Sequence, residues 1–187
     1  IKNIEINKML SLVFQNYQKL NTTPEGKDML EQTMLTAYEK SSDKDKFVKD
    51  FFDIDAKKAV VFAEKLAGEK KTFTDLFEIA ELVMEHSQED PISILDKAIS
   101  VGDSYESIIK VAQRVSNKNI AVRYFEQALK KTADIADYRD TGDVLLSRNL
   151  EDLAEQYYEK SLGNNPKFSD FLSISKFCFD SGFNDLG

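Results

Sequence analysis

Apolar side chains recur every three or four residues along almost the entire chain, and the interruptions between these stretches are short. Residues 4 to 20 set the pattern with Ile4, Met9, Leu10, Val13, Phe14, Tyr17 and Leu20, the spacing that lines one face of an α-helix. The punctuation that many tight turns need is missing: 187 residues include only 7 Gly and 3 Pro, less than half the roughly 12% these two residues average in soluble proteins. Both observations argue against an all-β fold. A hydrophobic content of 42% is enough for a real core.

Local signals place the helix boundaries. Asn21-Thr22-Thr23-Pro24-Glu25 ends the first helix and starts the second, with Thr23 as N-cap and Pro24 in the first helical position. That helix runs to Lys40, where Ser41-Ser42-Asp43 breaks it. A short amphipathic piece carries Phe47, Val48, Phe51 and Phe52, and Asp55 caps a helix from Ala56 to Ala67. Val60-Val61-Phe62 is a β-like run, but Ala56, Ala59 and Ala63 around it favour helix. Further breaks fall at residues 68–72, 87–90, 101–103, 116–119, 132–135, 148–149, 163–166 and 181–182. The sum is an all-α chain of about eleven helices without strands, whose short connections make sequential helices antiparallel neighbours.

Composition removes several chemistries. A single His86 and a single Cys178 cannot build a Cys/His zinc cluster or a disulfide framework. A net charge of −8 opposes the counterion release that drives nucleic-acid binding. No stretch reaches the roughly 18 uninterrupted apolar residues of a membrane span, and no signal-peptide pattern opens the chain, so a cytoplasmic location is expected. The first residue is Ile1 rather than Met, which suggests a fragment or a processed form.

Shifting the chain against itself reveals a repeat. Asp137–Leu150 aligns with Asp170–Phe183 at 33 residues, and the helix ends Leu95-Asp-Lys-Ala-Ile99, Phe125-Glu-Gln-Ala-Leu129 and Tyr158-Glu-Lys-Ser-Leu162 follow at intervals of 30 and 33. Such a period belongs to stacked helical arrays. The best unit has Tyr138, Thr141, Gly142 and Leu145 in its first helix and Ala154, Tyr158, Ser161 and Pro166 in and after its second. It resembles the tetratricopeptide repeat family, with Thr141 replacing an aliphatic residue and, in an earlier unit, Pro91 standing where the family has Ala.

Other first helices repeat the pattern as Leu76, Ile79, Ala80, Val83; as Ile108, Val111, Ala112, Val115; and as Phe171, Ile174, Ser175, Cys178. In this register Gly142 and Ala154 are small where two helices cross, and Tyr158 wedges between adjacent units. The resemblance implies a right-handed superhelical array of antiparallel helix pairs, an α-solenoid, over residues 51–187, with helices of unassigned pattern over 1–50. The last repeat is cut in half, because Phe183–Gly187 aligns with the residues that open the second helix of the better unit. The expectation is that the protein continues beyond Gly187 or that a partner, including a second copy, packs there.

Arrays of this family bind partners along the concave face made by first helices. The register assigns to that face Phe77, Glu81 and Met84, then Ile109 and Gln113, then Arg139, Asp143 and Leu146, and finally Leu172, Lys176 and Phe179. The apolar members suit an amphipathic helix or an extended peptide; their alternative role is packing between helices. Only Arg139 and Lys176 are basic, which argues against the clamp that some members use for a C-terminal carboxylate. Residues 75–106 hold nine acids and one base, an imbalance equal to the whole net charge. That segment is either a solvated face or an attractor for a basic partner.

Catalytic signatures are absent from the sequence. There is no phosphate loop, G-x-S-x-G elbow or HExxH, and one-turn carboxylate pairs such as Glu151/Glu155 occur in almost any acidic helical chain. His86 reads as a surface or helix-capping residue. The expectation is a non-enzymatic scaffold without cofactor or metal, binding a protein or peptide partner, basic or amphipathic, and no nucleic acid. The alternative is a docking or regulatory part of a larger enzyme or of a secretion or assembly machine.

Overall fold

The structure is a computed structural model, and it describes residues 11–12, 15–17, 19–87 and 90–163. Among them no strand occurs; residues 11–12, 15–17 and 19–20 are helical, and nine further helices follow: α1 (Pro24–Lys40), α2 (Lys44–Phe52), α3 (Ala56–Glu69), α4 (Phe73–Ser87), α5 (Ile92–Gly102), α6 (Tyr105–Arg114), α7 (Lys118–Leu129), α8 (Ile135–Ser147) and α9 (Glu151–Leu162). They fall into two compact units, one on either side of the Val101–Gly102 bond.

The starts of the helices are written in their caps. The Thr23 hydroxyl accepts from the Gly26 amide at 3.1 Å with Pro24 at the first position of α1. The Asp43 and Asp55 carboxylates accept from the amides of Lys46 and Lys58 at 2.9 and 3.0 Å. Asn117 accepts two amides at the start of α7. Each cap satisfies donors that the first helical turn leaves unpaired. Gly26 meets a second demand, since a Cβ there would lie 2.1 Å from the Leu20 carbonyl oxygen.

In the first unit, α1 turns Leu30, Met34, Ala37 and Tyr38 inward, and α2 and α3 oppose them with Phe47, Phe51 and Phe62. The Phe62 ring lies 5.5 Å from those of Tyr38, Phe47 and Phe51. A boundary at residue 50 therefore falls inside α2 and within this aromatic cluster. The segment Val60-Val61-Phe62 is helical, as its alanine-rich surroundings predict. Helix α4 follows, burying Leu76, Phe77, Ile79, Ala80 and Val83, and α5 buries Ile94, Leu95, Ala98 and Ile99.

The second unit contains two helix hairpins, α6/α7 and α8/α9. A Schellman turn closes α8: the Asn149 and Leu150 amides donate back to Leu146 and Leu145 at 2.9 and 3.0 Å, with Asn149 at φ 53°. Inside the α8/α9 hairpin, Gly142 faces Tyr158 so closely that a Cβ would stand 2.7 Å from the ring. Tyr158 also donates to Asp143 at 2.7 Å, within its own hairpin. The neighbouring hairpin is reached by Tyr157, whose hydroxyl donates to the Phe125 carbonyl at 2.7 Å. Of the expected wedge of Tyr158 between adjacent units, the part that involves residues after Gly163 lies outside the described residues.

Tyrosines also hold the two hairpins together. Tyr105 on α6 donates to the Asp137 carbonyl at 3.0 Å and shares a 2.7 Å hydrogen bond with the buried Thr141 hydroxyl. The rings of Tyr105, Tyr138 and Tyr157 pack with centroids 5.3 to 6.5 Å apart. Burial, the largest cause, pushes the Tyr105 and Tyr157 hydroxyls well above their ordinary titration range.

Candidate functional site

The three described first helices share a register in which Leu76, Ile108 and Tyr138 are equivalent, and so are Phe77, Ile109 and Arg139. At 100° per residue the buried faces of α4 and α6 span an arc of roughly 160°, while that of α8 spans roughly 100°. The wider arcs reach Phe77 and Ile109, only 2% and 8% exposed. Phe77 stacks on Phe73 with centroids 5.5 Å apart. These two residues therefore belong to the core rather than to a partner-facing surface. The amphipathic pattern of α4 and α6 is broader than one stripe, and the assigned face began inside it.

The other assigned residues that the structure describes stay at least partly accessible. Glu81 and Met84 are half-buried on α4, and Gln113 is exposed on α6. On α8, Arg139 is half-buried and pairs with Asp140 at 3.1 Å, Leu146 is half-buried, and the exposed Asp143 accepts from Tyr158. Leu172, Lys176 and Phe179, together with Cys178 and the half-repeat, lie outside the described residues. Of the acidic segment, Asp103 is paired with Lys131, Asp75 binds the Thr72 hydroxyl, and Glu106 is held below the usual carboxylate range by its own backbone amide and Ser104. His86, in the last turn of α4, sits 3.0 Å from the Leu82 carbonyl and lays its ring against Phe52.

Basic side chains are placed with a regularity that the repeat only hints at. Lys97 in α5 donates to the Ala67 and Gly68 carbonyls at the end of α3, at 2.6 and 3.1 Å. Lys160, at the equivalent repeat position in α9, donates to the Leu129 carbonyl at the end of α7, at 2.6 Å. Arg148 reaches the Ala112 and Gln113 carbonyls at the end of α6, and Lys118 reaches Asn149 beyond α8 at 3.0 Å. These cations sit at or just beyond the carbonyl ends of helices, at the negative pole of the dipole, the Ala67 carbonyl also accepting from the Lys70 amide at 3.3 Å. A depression of about 510 Å³ is lined in part by Arg114, Lys118 and Arg148, of which Lys118 and Arg148 donate to backbone carbonyls.

A different surface combines exposure with apolar character. Between α1 and α3 lies a cleft of about 240 Å³ floored by Met34, Phe51 and Phe62 and lipped by Leu35 and Val61. Leu35 is 40% and Val61 63% exposed. Lys58 and Lys65 stand at its two ends and Glu31 on the α1 side. Sequence reading passed over it, although Val60-Val61-Phe62 carries more apolar surface than a single buried face needs.

Among the described residues no group of three or more His, Cys, Asp and Glu side chains is arranged to hold a metal ion. No helix among them is long and apolar enough to cross a membrane. The molecule is an all-helical protein with repeat-like pairing of its helices. No protein-family model, curated protein or solved structure matches the chain.

Proposed function

We propose that the chain is a non-catalytic interaction scaffold: a superhelical array of tetratricopeptide-like helix pairs that receives a protein segment on the face of its first helices. The observation that carries this reading is the recurrence of one contact at one repeat position. Lys97 and Lys160 occupy matching places in the repeated helix ends, and each ties its helix to the helix end 29 to 31 residues earlier. Repeating units joined by repeating contacts are how helical arrays extend and present a continuous surface. Within the second unit, the exposed Gln113 on α6 and, on α8, the half-buried Arg139 and Leu146 beside Asp143 offer polar recognition next to apolar contact.

Capture from a source lysate tests the assignment. A bait with Arg139→Glu and Leu146→Glu is compared with the unaltered chain, both checked for equal helicity. Loss of a specific captured protein supports the first-helix face. Unchanged capture rejects it.

A further inference from the structure

We infer that the cleft between α1 and α3 is a second docking site, built for a short amphipathic helix with two apolar anchors one turn apart and acidic residues at both ends. This goes beyond the first-helix reading, because neither wall of the cleft belongs to α4, α6 or α8. The argument begins with spacing. Lys58, Val61, Phe62 and Lys65 line one wall at the intervals of a single helical face over two turns, which is a length of roughly 10 Å at 1.5 Å per residue. That length takes two side chains separated by one turn of about 5.4 Å. The volume of about 240 Å³ suits side chains rather than a whole ligand.

Packing gives the anchors their affinity. Met34, Phe51 and Phe62 are buried beneath the cleft, whereas Leu35 and Val61 expose their apolar surface at its lips. An occupant that covered those two side chains would remove that surface from water, the main favourable contribution to helix-in-groove recognition.

Charge specifies the ends. In a chain of net charge −8, the described lining residues include two lysines and one glutamate, and the lysines lie two turns apart along α3 on either side of Val61 and Phe62. Lys65 forms an exposed 3.1 Å pair with Glu39, and the Lys58 ammonium lies 5.5 Å from the centre of the Tyr17 ring. Exposed contacts of this kind are individually weak, so both lysines are able to turn to an incoming carboxylate. A basic segment would meet the Lys58 ammonium at one end and gain no new partner from Lys65 at the other, whereas an acidic one can draw on both lysines.

The test uses the full chain and two synthetic helical peptides, each with two leucines one turn apart, one flanked by glutamates and the other by lysines. Peptide anisotropy reports binding, and methyl NMR of Leu35 and Val61 reports where it occurs. The acidic peptide is expected to bind and shift both methyls, with Val61→Glu weakening it on the order of tenfold, the loss typical of one truncated anchor. Lys58→Glu with Lys65→Glu is expected to exchange the preference to the basic peptide. All these positions are accessible, so folding is retained, and the unaltered chain's methyl shifts stand without any variant. Equal affinity for both peptides, absence of methyl shifts, or a cleft closed by self-association in sedimentation would overturn the inference. Arg139→Glu and Leu146→Glu leave this binding unchanged, so its failure is separable from failure of the first-helix face.

Discussion

The ring of Tyr158 approaches Gly142 so closely that a Cβ there would stand 2.7 Å from it, less room than a methyl group needs. An alanine in a helix ordinarily improves on glycine by about 0.5–1 kcal/mol. At this position the ring is wedged in the hairpin, and overpacking costs typically about 1–3 kcal/mol. Gly142→Ala is therefore expected to lower stability by roughly 1 kcal/mol or more on balance. Chemical denaturation measures it, and an unchanged or raised midpoint would show that the helices do not approach this closely.

Tyr105 and Thr141 share a buried hydrogen bond, and Tyr105 also serves the Asp137 carbonyl. Tyr105→Phe strands both partners and is expected to destabilise by about 1–3 kcal/mol. Adding Thr141→Val recovers part of the loss, because removing both partners of a hydrogen bond is milder than removing one. A double-mutant cycle with no coupling would contradict the contact.

Lys97 and Lys160 place ammonium groups on the carbonyl ends of α3 and α7. Lys97→Met and Lys160→Met each keep the aliphatic stem and are expected to cost about 0.3–1 kcal/mol, diminishing as salt is raised. Thermal melts at low and high ionic strength check this. Losses independent of salt would mean that the stems, not the charges, hold the helices.

Asn149 turns the chain with a positive φ of 53°, a conformation glycine adopts without penalty. Asn149→Gly is expected to raise stability by a few tenths to about 0.5 kcal/mol, since asparagine tolerates this region better than other residues. The Lys118 contact is to the backbone carbonyl and survives the change. Destabilisation in urea would show that the Asn149 side chain contributes more than its backbone shape.

Alkaline pH should unfold the protein. Burial is the largest cause raising the titration of Tyr17, Tyr38, Tyr105 and Tyr157; the Asp55 hydrogen bond adds to it for Tyr17 and the Glu69 charge for Tyr38. A tyrosine held protonated in the fold binds more protons than the unfolded chain above its ordinary value near 10, so its contribution is complete below about pH 10 and falls as pH rises past it. Phenolate absorbance and helicity should therefore change together in one steep transition. Ionisation of all tyrosines near pH 10 with helicity intact would refute the burial.

The boundaries of this fold were readable because they depend on neighbours in sequence. Thr23, Pro24 and Asp55 act within one turn of themselves, so their roles as caps followed directly from residue type. Phe77 and Ile109 were not readable in the same way. Whether the position beside a buried stripe faces solvent depends on what packs there, and α4 and α6 bury that position where α8 leaves Arg139 half-exposed. Tyr157 and Tyr158 present the same problem: adjacent tyrosines point about 100° apart, and only the packing assigns one to the hairpin and the other to its neighbour. The α1/α3 cleft was hidden for a related reason, since Leu35 and Val61 look like ordinary helix residues until their partners are seen.

The lysine and tyrosine ties between successive helices have a kinetic consequence. Lys97 to Ala67, Lys160 to Leu129, Tyr157 to Phe125 and Tyr105 to Asp137 close loops of 30 to 32 residues. Loop-closure entropy grows only with the logarithm of length, so each tie faces nearly the same barrier and none awaits the meeting of distant chain ends. Contacts confined to neighbouring helices avoid the still longer closures that slow folding most. Within each unit, a pair ordered early becomes the template on which the next one forms.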